Sequence, residues 1–398
     1  MTVFVVFLLA YLLSQFFRSF LAVIAPELSA ELGMRPNELG AISAAWFIAF
    51  AAAQFPVGWA LDHVGPRRTV PVAMLLAVIG CIVFARATDA TMALVAMTLI
   101  GLGCAPIYMG ALYYFGRIYD ARYFAFLSSW LLGIGSAGNL LAATPLAAAA
   151  QTYGWRPTFL AIAAITFAAA VLVALLIKDP PSAQHEQASQ DNPTSAWQDF
   201  RTLLALRNLW PLMPIALVSY GVVAVERGLW IGPYLADVYG LDPIARGNVA
   251  LLMAIAMSLG AMAYGPLDQW LGTRKWIVVA GTLATVAGFA TLFILPKPEL
   301  FLAQIILAGI GALGLTYGVL MAHARSFLPT RLLGRGITLM NFLLIGGGAA
   351  LQMLSGWLVG AWQDQGLPAE TVYANLHGVF AGLLIVACAV YFFARDTR

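Results

Sequence analysis

The sequence predicts an all-α membrane protein of twelve transmembrane helices, arranged as two pseudo-symmetric six-helix bundles. Three observations lead there. The 398-residue chain is 62% hydrophobic and only 10% charged, where a soluble domain carries about a quarter charged residues. Apolar runs of the roughly 20 residues that cross a bilayer recur along nearly its whole length. The punctuation of the first half also returns in the second at a nearly constant offset.

The spans are read at 3–25, 38–60, 69–88, 91–114, 123–149, 157–177, 210–236, 247–268, 275–295, 299–323, 336–361 and 371–394. The first reads as one continuous apolar helix. It lacks a basic leader and a convincing small-x-small cleavage site, so it is expected to stay in the membrane. The one long connection, 178–208, is polar and rich in Pro, Gln and Ser, and divides the chain into 1–177 and 209–398. Its first part reads as a linker. Its second part, "AWQDFRTLLALRNLW", has the pattern of an amphipathic surface helix.

With both termini in the cytoplasm, fourteen Lys and Arg residues fall on the cytoplasmic side and five outside. That asymmetry sets the expected orientation. A shift of 207 residues lays Pro26 on Pro233, Gly33 on Gly240, Gly40 on Gly247, Gly58 on Gly265, Gly65 on Gly272 and Arg67 on Arg274. One further residue of shift lays Gly101 on Gly309, Gly110 on Gly318 and Arg117 on Arg325. Two halves repeated in the same orientation imply a two-fold axis along the membrane normal and a substrate site near mid-membrane.

Arg18 and Arg227 are the two cations inside spans. Tyr11, Ser14, Gln15 and Arg18 share one helical face of span 1, with Ala22 above them. Such a polar stripe faces protein or water rather than lipid. Glu226 and Arg227 sit at the same depth in span 7, because the repeat maps Arg18 onto Val225. Glu226 is the one carboxylate deep within a span. A mid-bilayer charge costs roughly 2.5–3.5 kcal/mol on insertion scales, so three at one level imply a purpose. A structural purpose is a salt bridge between Glu226 and Arg18 or Arg227. A functional one follows from two guanidiniums against one carboxylate: a cavity that a carboxylate or phosphate completes. In that reading Arg18 and Arg227 bind an anion and Glu226 carries the coupling proton.

Polar groups of lower specificity fill out the candidate substrate site: Tyr11, Gln15, Tyr108, Asn139, Trp230, Asn341 and Gln352, with Trp46 and Tyr220 as walls. Each is also a plausible interhelical hydrogen bond or packing group. His323 reads as interfacial, and His377 in span 12 as facing away from the site. Cys81, Cys104 and Cys388 lie in apolar runs with no metal or disulfide spacing. No Walker loop, metal cluster or nucleophile with a placed base stands in the sequence, so neither an enzyme nor a cofactor is expected. The net charge of +3 says nothing about nucleic acid in a membrane chain, where the placement of charges at the flanks is what matters; membrane lipid and no nucleic acid are expected as partners.

The loop after span 2 reads "GWALDHVGPRR", residues 58–68, echoed by "GPLDQWLGTRK", residues 265–275. Together with the twelve spans, the repeat and the central loop, this resembles the major facilitator superfamily and its G-x-x-x-D-R/K-x-G-x-R/K-R/K signature. The resemblance implies alternating access around a central site. It also implies a cytoplasmic latch or gate built from Gly58, Asp62, Gly65, Arg67, Arg68 and Asp268, with Asp62 beside span 11. Gly58 is expected to let span 2 approach a neighbour closely. His63 departs from the signature, and Asp268 is one residue out of register with Asp62. Arg18 stands eight residues before Pro26, which resembles organic-anion and organophosphate members. Arg227 stands only six before Pro233, so the second half breaks that pattern. Met97 replaces an arginine common in span 4, and span 5 lacks the Gly-Pro pair of many exporters. The expected function is secondary transport of a small organic anion by a monomer, through proton symport or anion exchange. An exporter of amphipathic or cationic compounds is the second reading, and a non-transporting receptor or assembly factor the third.

Overall fold

The computed structural model describes residues 2–179, 201–203, 205–329 and 332–396. Among them every regular element is helical. Spans 2 to 6 are α3 (Pro36–His63), α4 (Pro66–Ala85), α5 (Ala90–Ile118), the broken set α6 (Ala121–Gly135), α7 (Ala137–Leu141) and α8 (Thr144–Tyr153), and α9 (Trp155–Leu176). Spans 7 to 12 are α10 (Leu212–Val225) with α11 (Ile231–Tyr239), α12 (Pro243–Leu271), α13 (Lys275–Ile294), α14 (Leu300–Gly314) with α15 (Tyr317–Arg325), α16 (Leu333–Asp364) and α17 (Ala369–Tyr391). Eleven helical stretches are long and apolar enough to cross a membrane, or twelve with one bent pair. Most of the linker expected over 178–208 lies outside the described residues; 201–203 is helical.

The bent pair corrects the reading of span 1 as one helix. It is α1 (Thr2–Phe17) and α2 (Leu21–Leu32), which meet at 48°. The break falls at residues 18–20, so Arg18 sits in the corner. Pro26 lies inside intact α2 and does not make the bend. The corner keeps its backbone satisfied with tightened bonds: Arg18 N–H to Gln15 O at 3.3 Å, Ser19 N–H to Phe16 O at 3.1 Å, and Phe20 N–H to Phe16 O at 3.2 Å. That is the condition for irregular backbone at membrane depth. The repeat-related stretch of span 7 is also irregular: a π-helical turn, Glu226–Trp230, separates α10 from α11. Such turns concentrate at functional sites.

The repeat extends to backbone conformation. Gly33 and Gly240 end their helices at φ 62° and 64°, and Gly65 and Gly272 stand at φ 85° and 60°. These are left-handed conformations that glycine adopts without a Cβ penalty. After each of the last two, an aspartate from the end of the same half caps the next helix. Asp179 Oδ1 accepts from Arg67 N–H at 2.8 Å. Asp396 accepts from Thr273 Oγ1, and from the backbone N–H groups of Arg274 and Lys275 at 3.2 and 3.1 Å.

By contact density the chain divides into two compact units, which cut across the sequence halves. One comprises Met1–Ser182, Arg227–Leu251 and Gln352–Ala361; the other comprises Ala183–Glu226, Leu252–Leu351 and Trp362–Arg398. Within the first, Phe17, Phe20, Phe84 and Phe159 form an aromatic core with ring centroids 4.7–6.3 Å apart. Segments distant in sequence close together at one end of this unit. A Cβ on Gly40 of α3 would stand 2.6 Å from Gln352 O and 2.9 Å from Gly356 Cα, so α3 and α16 touch backbone to backbone. Arg246 of α12, 4% exposed, pairs there with Glu27 of α2. Within the second unit, α10 and α13 pack on α17.

Candidate functional site

The first unit brings together most of the residues singled out in the sequence. The stripe on α1 faces protein as expected: Tyr11, Ser14 and Gln15 are buried, and Arg18 is half-buried at the corner. Gln15 Nε2 donates to Tyr11 Oη at 3.0 Å, and the Tyr11 ring lies against Tyr108 at 5.0 Å. The Arg18 guanidinium rests over two aromatic faces, its central carbon 5.2 Å from the Trp46 ring centroid and 5.6 Å from that of Phe50. Those rings are themselves stacked, 5.0 Å apart and 16° from parallel. A cation on desolvated aromatic faces gains about 0.5–2 kcal/mol there.

Arg227, 7% exposed, is held differently. Its Nη1 donates to Asn139 Oδ1 at 3.2 Å and its Nη2 to the Asn139 carbonyl at 2.9 Å. The same Oδ1 accepts from Ser19 Oγ at 3.0 Å. Asn139 lies in the short helix α7, between the two breaks of span 5, and so fastens the corner of span 1 to the π-turn of span 7. On the far side of that turn, Trp230 Nε1 donates to Ser355 Oγ at 2.8 Å, which donates to Gln352 O at 3.0 Å. The side-chain amide of Gln352 is fully buried and makes no hydrogen bond among the described residues, and Gln15 Oε1 is likewise unsatisfied. A buried amide left so is costly unless a further group completes it. Asn341 is not gathered into this cluster: it belongs to the second unit and is exposed.

In the second unit Glu226 is completely buried and pairs with His377, Nε2 to Oε2 at 3.4 Å. This corrects the expectation that His377 faces away from the site, since Glu226 is assigned to it. Among the described residues the polar partner of Glu226 is an imidazole rather than a guanidinium. The depth of a residue along span 12 cannot be matched to span 7 without knowing how the two helices are offset. Tyr220 lies against Tyr317 at 5.9 Å, also in this unit. His323 is fully buried in the last turn of α15, held by Tyr391 Oη at 2.6 Å and by the Arg395 carbonyl at 2.8 Å.

The signature loop is arranged otherwise than expected. A Cβ on Gly58 meets no described atom within 4 Å, so among the described residues no helix approaches closely there. Asp62 is exposed and makes no hydrogen bond or ion pair with a described residue. The carboxylate that engages the loop is Asp179, which receives the Arg67 N–H and lies where a Cβ on Gly65 would be, 2.5 Å from Oδ1. Arg67 Nε also donates to Ala174 O at 3.3 Å, while Arg68 is exposed. The side chain of Asp268 lies outside the described residues.

Sequence reasoning missed Ser19, Asp179 and Asp396, and it placed His377 away from the site. Asp179 and Asp396 had a visible signal: each follows a basic residue just beyond the last helix of its half, Lys178-Asp179 and Arg395-Asp396.

A family model described as Major Facilitator Superfamily matches residues 7–351. The chain is similar to the sialic acid transporter NanX of Escherichia coli (strain K12), 25% identical over 346 residues that cover 84% of this chain and 81% of the relative. It is also similar to a probable L-galactonate transporter of the same strain, 22% identical over 311 residues, 73% of this chain and 68% of the relative. A solved bacterial homolog to the human lysosomal transporter Spinster, inward-facing and unoccupied, aligns with a TM-score of 0.79 over 98% of this chain and 96% of that one. At 17% identity that likeness is one of fold.

Proposed function

The chain belongs to the Major Facilitator Superfamily of membrane transporters, and from that premise we propose that it carries a small organic anion across a bacterial inner membrane by alternating access. It is a multi-pass transporter rather than an enzyme. In this reading both termini are cytoplasmic, and the halves 1–177 and 209–398, joined by 178–208, are the moving bundles. Arg18 and Arg227 hold the carboxylate of the substrate. Gln15, Tyr11, Tyr108, Asn139, Trp230 and Gln352 shape and orient the rest of it, and Glu226 couples its movement to a proton. Sialic acid and L-galactonate, named for the two relatives, are both carboxylic acids, which supports a substrate of that class.

The observation that carries the reading is the pair of helix interruptions at repeat-related positions, each with an arginine, fastened to one another through Asn139. Interrupted helices at mid-membrane are where substrates of such transporters are bound. A guanidinium seated on aromatic faces and another oriented by an amide are preorganised for a carboxylate. Purified protein is expected to gain thermal stability with sugar acids and small carboxylates but not with their neutral alcohols, and Arg18→Ala is expected to abolish the gain. Stabilisation by organic cations that depends on Glu226 would replace this reading with export of cationic compounds.

A further inference from the structure

We propose that Glu226 and His377 form a single proton-binding site, a buried carboxylate–imidazole pair that shares one exchangeable proton. The proposal deepens the coupling role of Glu226 given above and rests on that reading only for its link to transport; the pair itself stands on its own geometry.

Both side chains are at most 1% exposed, and Nε2 lies 3.4 Å from Oε2. The ring of Phe289, from α13, covers the imidazole, with centroids 5.9 Å apart and 30° from parallel. Neither oxygen of Glu226 accepts a hydrogen bond from a described residue, so the imidazole is its electrostatic partner. A carboxylate withdrawn this far from water costs several kcal/mol unless its charge is offset. Two arrangements remove that charge: a carboxylate facing an imidazolium, or a carboxylic acid facing a neutral imidazole. Both contain the same single proton. Adding it from water on one side of the membrane takes the pair from net −1 to net zero, and returning it to water on the other side reverses the change. Because each group sets the charge the other faces, the proton belongs to the pair rather than to either residue.

Among the described residues, the other titratable groups on the elements packed against these two helices are placed as follows, with Arg207 on the 3-10 turn that leads into α10. α10 carries one titratable residue, Tyr220, which lies against Tyr317. α13 carries only Lys275, at its first position, over Trp276 and Phe392; α14 carries none. On α15, His323 is held by Tyr391 and the Arg395 carbonyl, and Arg325 ends the helix, exposed. On α17 itself, Glu370 pairs with Lys297 near the surface at 3.0 Å, and Tyr373 is the buried titratable residue one turn before His377. The next formal charge along the chain from Glu226 is Arg227. A one-unit change of charge at the pair therefore occurs one peptide bond from a guanidinium assigned to the anion.

The test needs no substrate. The chain has four histidines, so the imidazole resonance of His377 in the full-length protein is identified by its loss in His377→Gln. The protein is titrated in lipid nanodiscs across the range in which imidazoles change charge. In Glu226→Gln, which keeps size and shape, the His377 midpoint is expected to move by about one pH unit or more, a tenfold change in proton affinity. Reciprocally, the carboxyl infrared band that titrates in wild type and disappears in Glu226→Gln is expected to change its midpoint in His377→Gln. Equal midpoints in wild type and variant, in both experiments, overturn the proposal. If His377→Gln does not fold, its resonance is assigned as the one that survives in His63→Gln, His185→Gln and His323→Gln alike, and the Glu226→Gln arm decides the proposal. A pair that titrates jointly in a protein whose transport ignores pH gradients would sink the coupling reading and leave the pair standing.

Discussion

Spans 1 and 7 occupy equivalent places in the two repeats, and they solve the same problem in different ways. Span 1 bends by 48° at a tightened corner and places one arginine there. Span 7 inserts a π-helical turn and places a glutamate and an arginine side by side. The arginine of span 1 lies on aromatic faces; that of span 7 is gripped by an amide at two atoms. The repeat thus preserves the interruption of the helix and lets the charges within it diverge. Consecutive residues point about 100° apart around a helix, so Glu226 and Arg227 serve different neighbours from one turn.

That comparison can be broken first at the arginines. Under the proposed function, Arg227→Ala is expected to weaken anion binding by about 30-fold to several thousand-fold, the range for removing one member of a buried charge pair. Arg18→Ala is expected to do the same, read as the dissociation constant of a stabilising sugar acid. A loss at only one position would mean that the two interruptions are not equivalent in function. The next test removes the tie between them. Asn139→Leu strips Arg227 and Ser19 of a shared acceptor and is expected to cost about 1–3 kcal/mol of stability, seen as a lower melting temperature.

The paired caps offer a smaller effect with a built-in control. Asp179→Ala and Asp396→Ala each remove a carboxylate that accepts backbone N–H groups at a helix start, and each is expected to cost about 1 kcal/mol. The two values should agree if the halves are stabilised alike; Asp396, with more donors, is the upper bound. Smallest of all, Gly58→Ala should change melting by the equivalent of less than about 0.5 kcal/mol, since the space beside Gly58 is open. Gly65→Ala is its contrast, because there the backbone is left-handed and the carboxylate of Asp179 occupies the space.

Much of the fold was legible because the bilayer imposes one length and one composition on every span. The glycines that recur at offset 207 share a positive φ, as with Gly65 and Gly272. The corner in span 1 was not legible, since neither glycine nor proline stands at 18–20, and the proline that does occur lies within a regular helix. The stripe of Tyr11, Gln15 and Arg18 could be read from 3.6-residue periodicity, because those residues share one helix. The partnership of Glu226 with His377 could not, because it joins helices whose relative offset no local pattern encodes. Gly58 misled for a related reason: a small residue permits a close approach, and only the packing decides whether a neighbour takes it.

The corner of span 1 carries its own hydrogen bonds, from Arg18, Ser19 and Phe20 back to Gln15 and Phe16. No other helix has to arrive to quiet those amides. Span 1 can therefore enter the lipid already angled, and the segments that follow it assemble around an elbow whose backbone is satisfied without them.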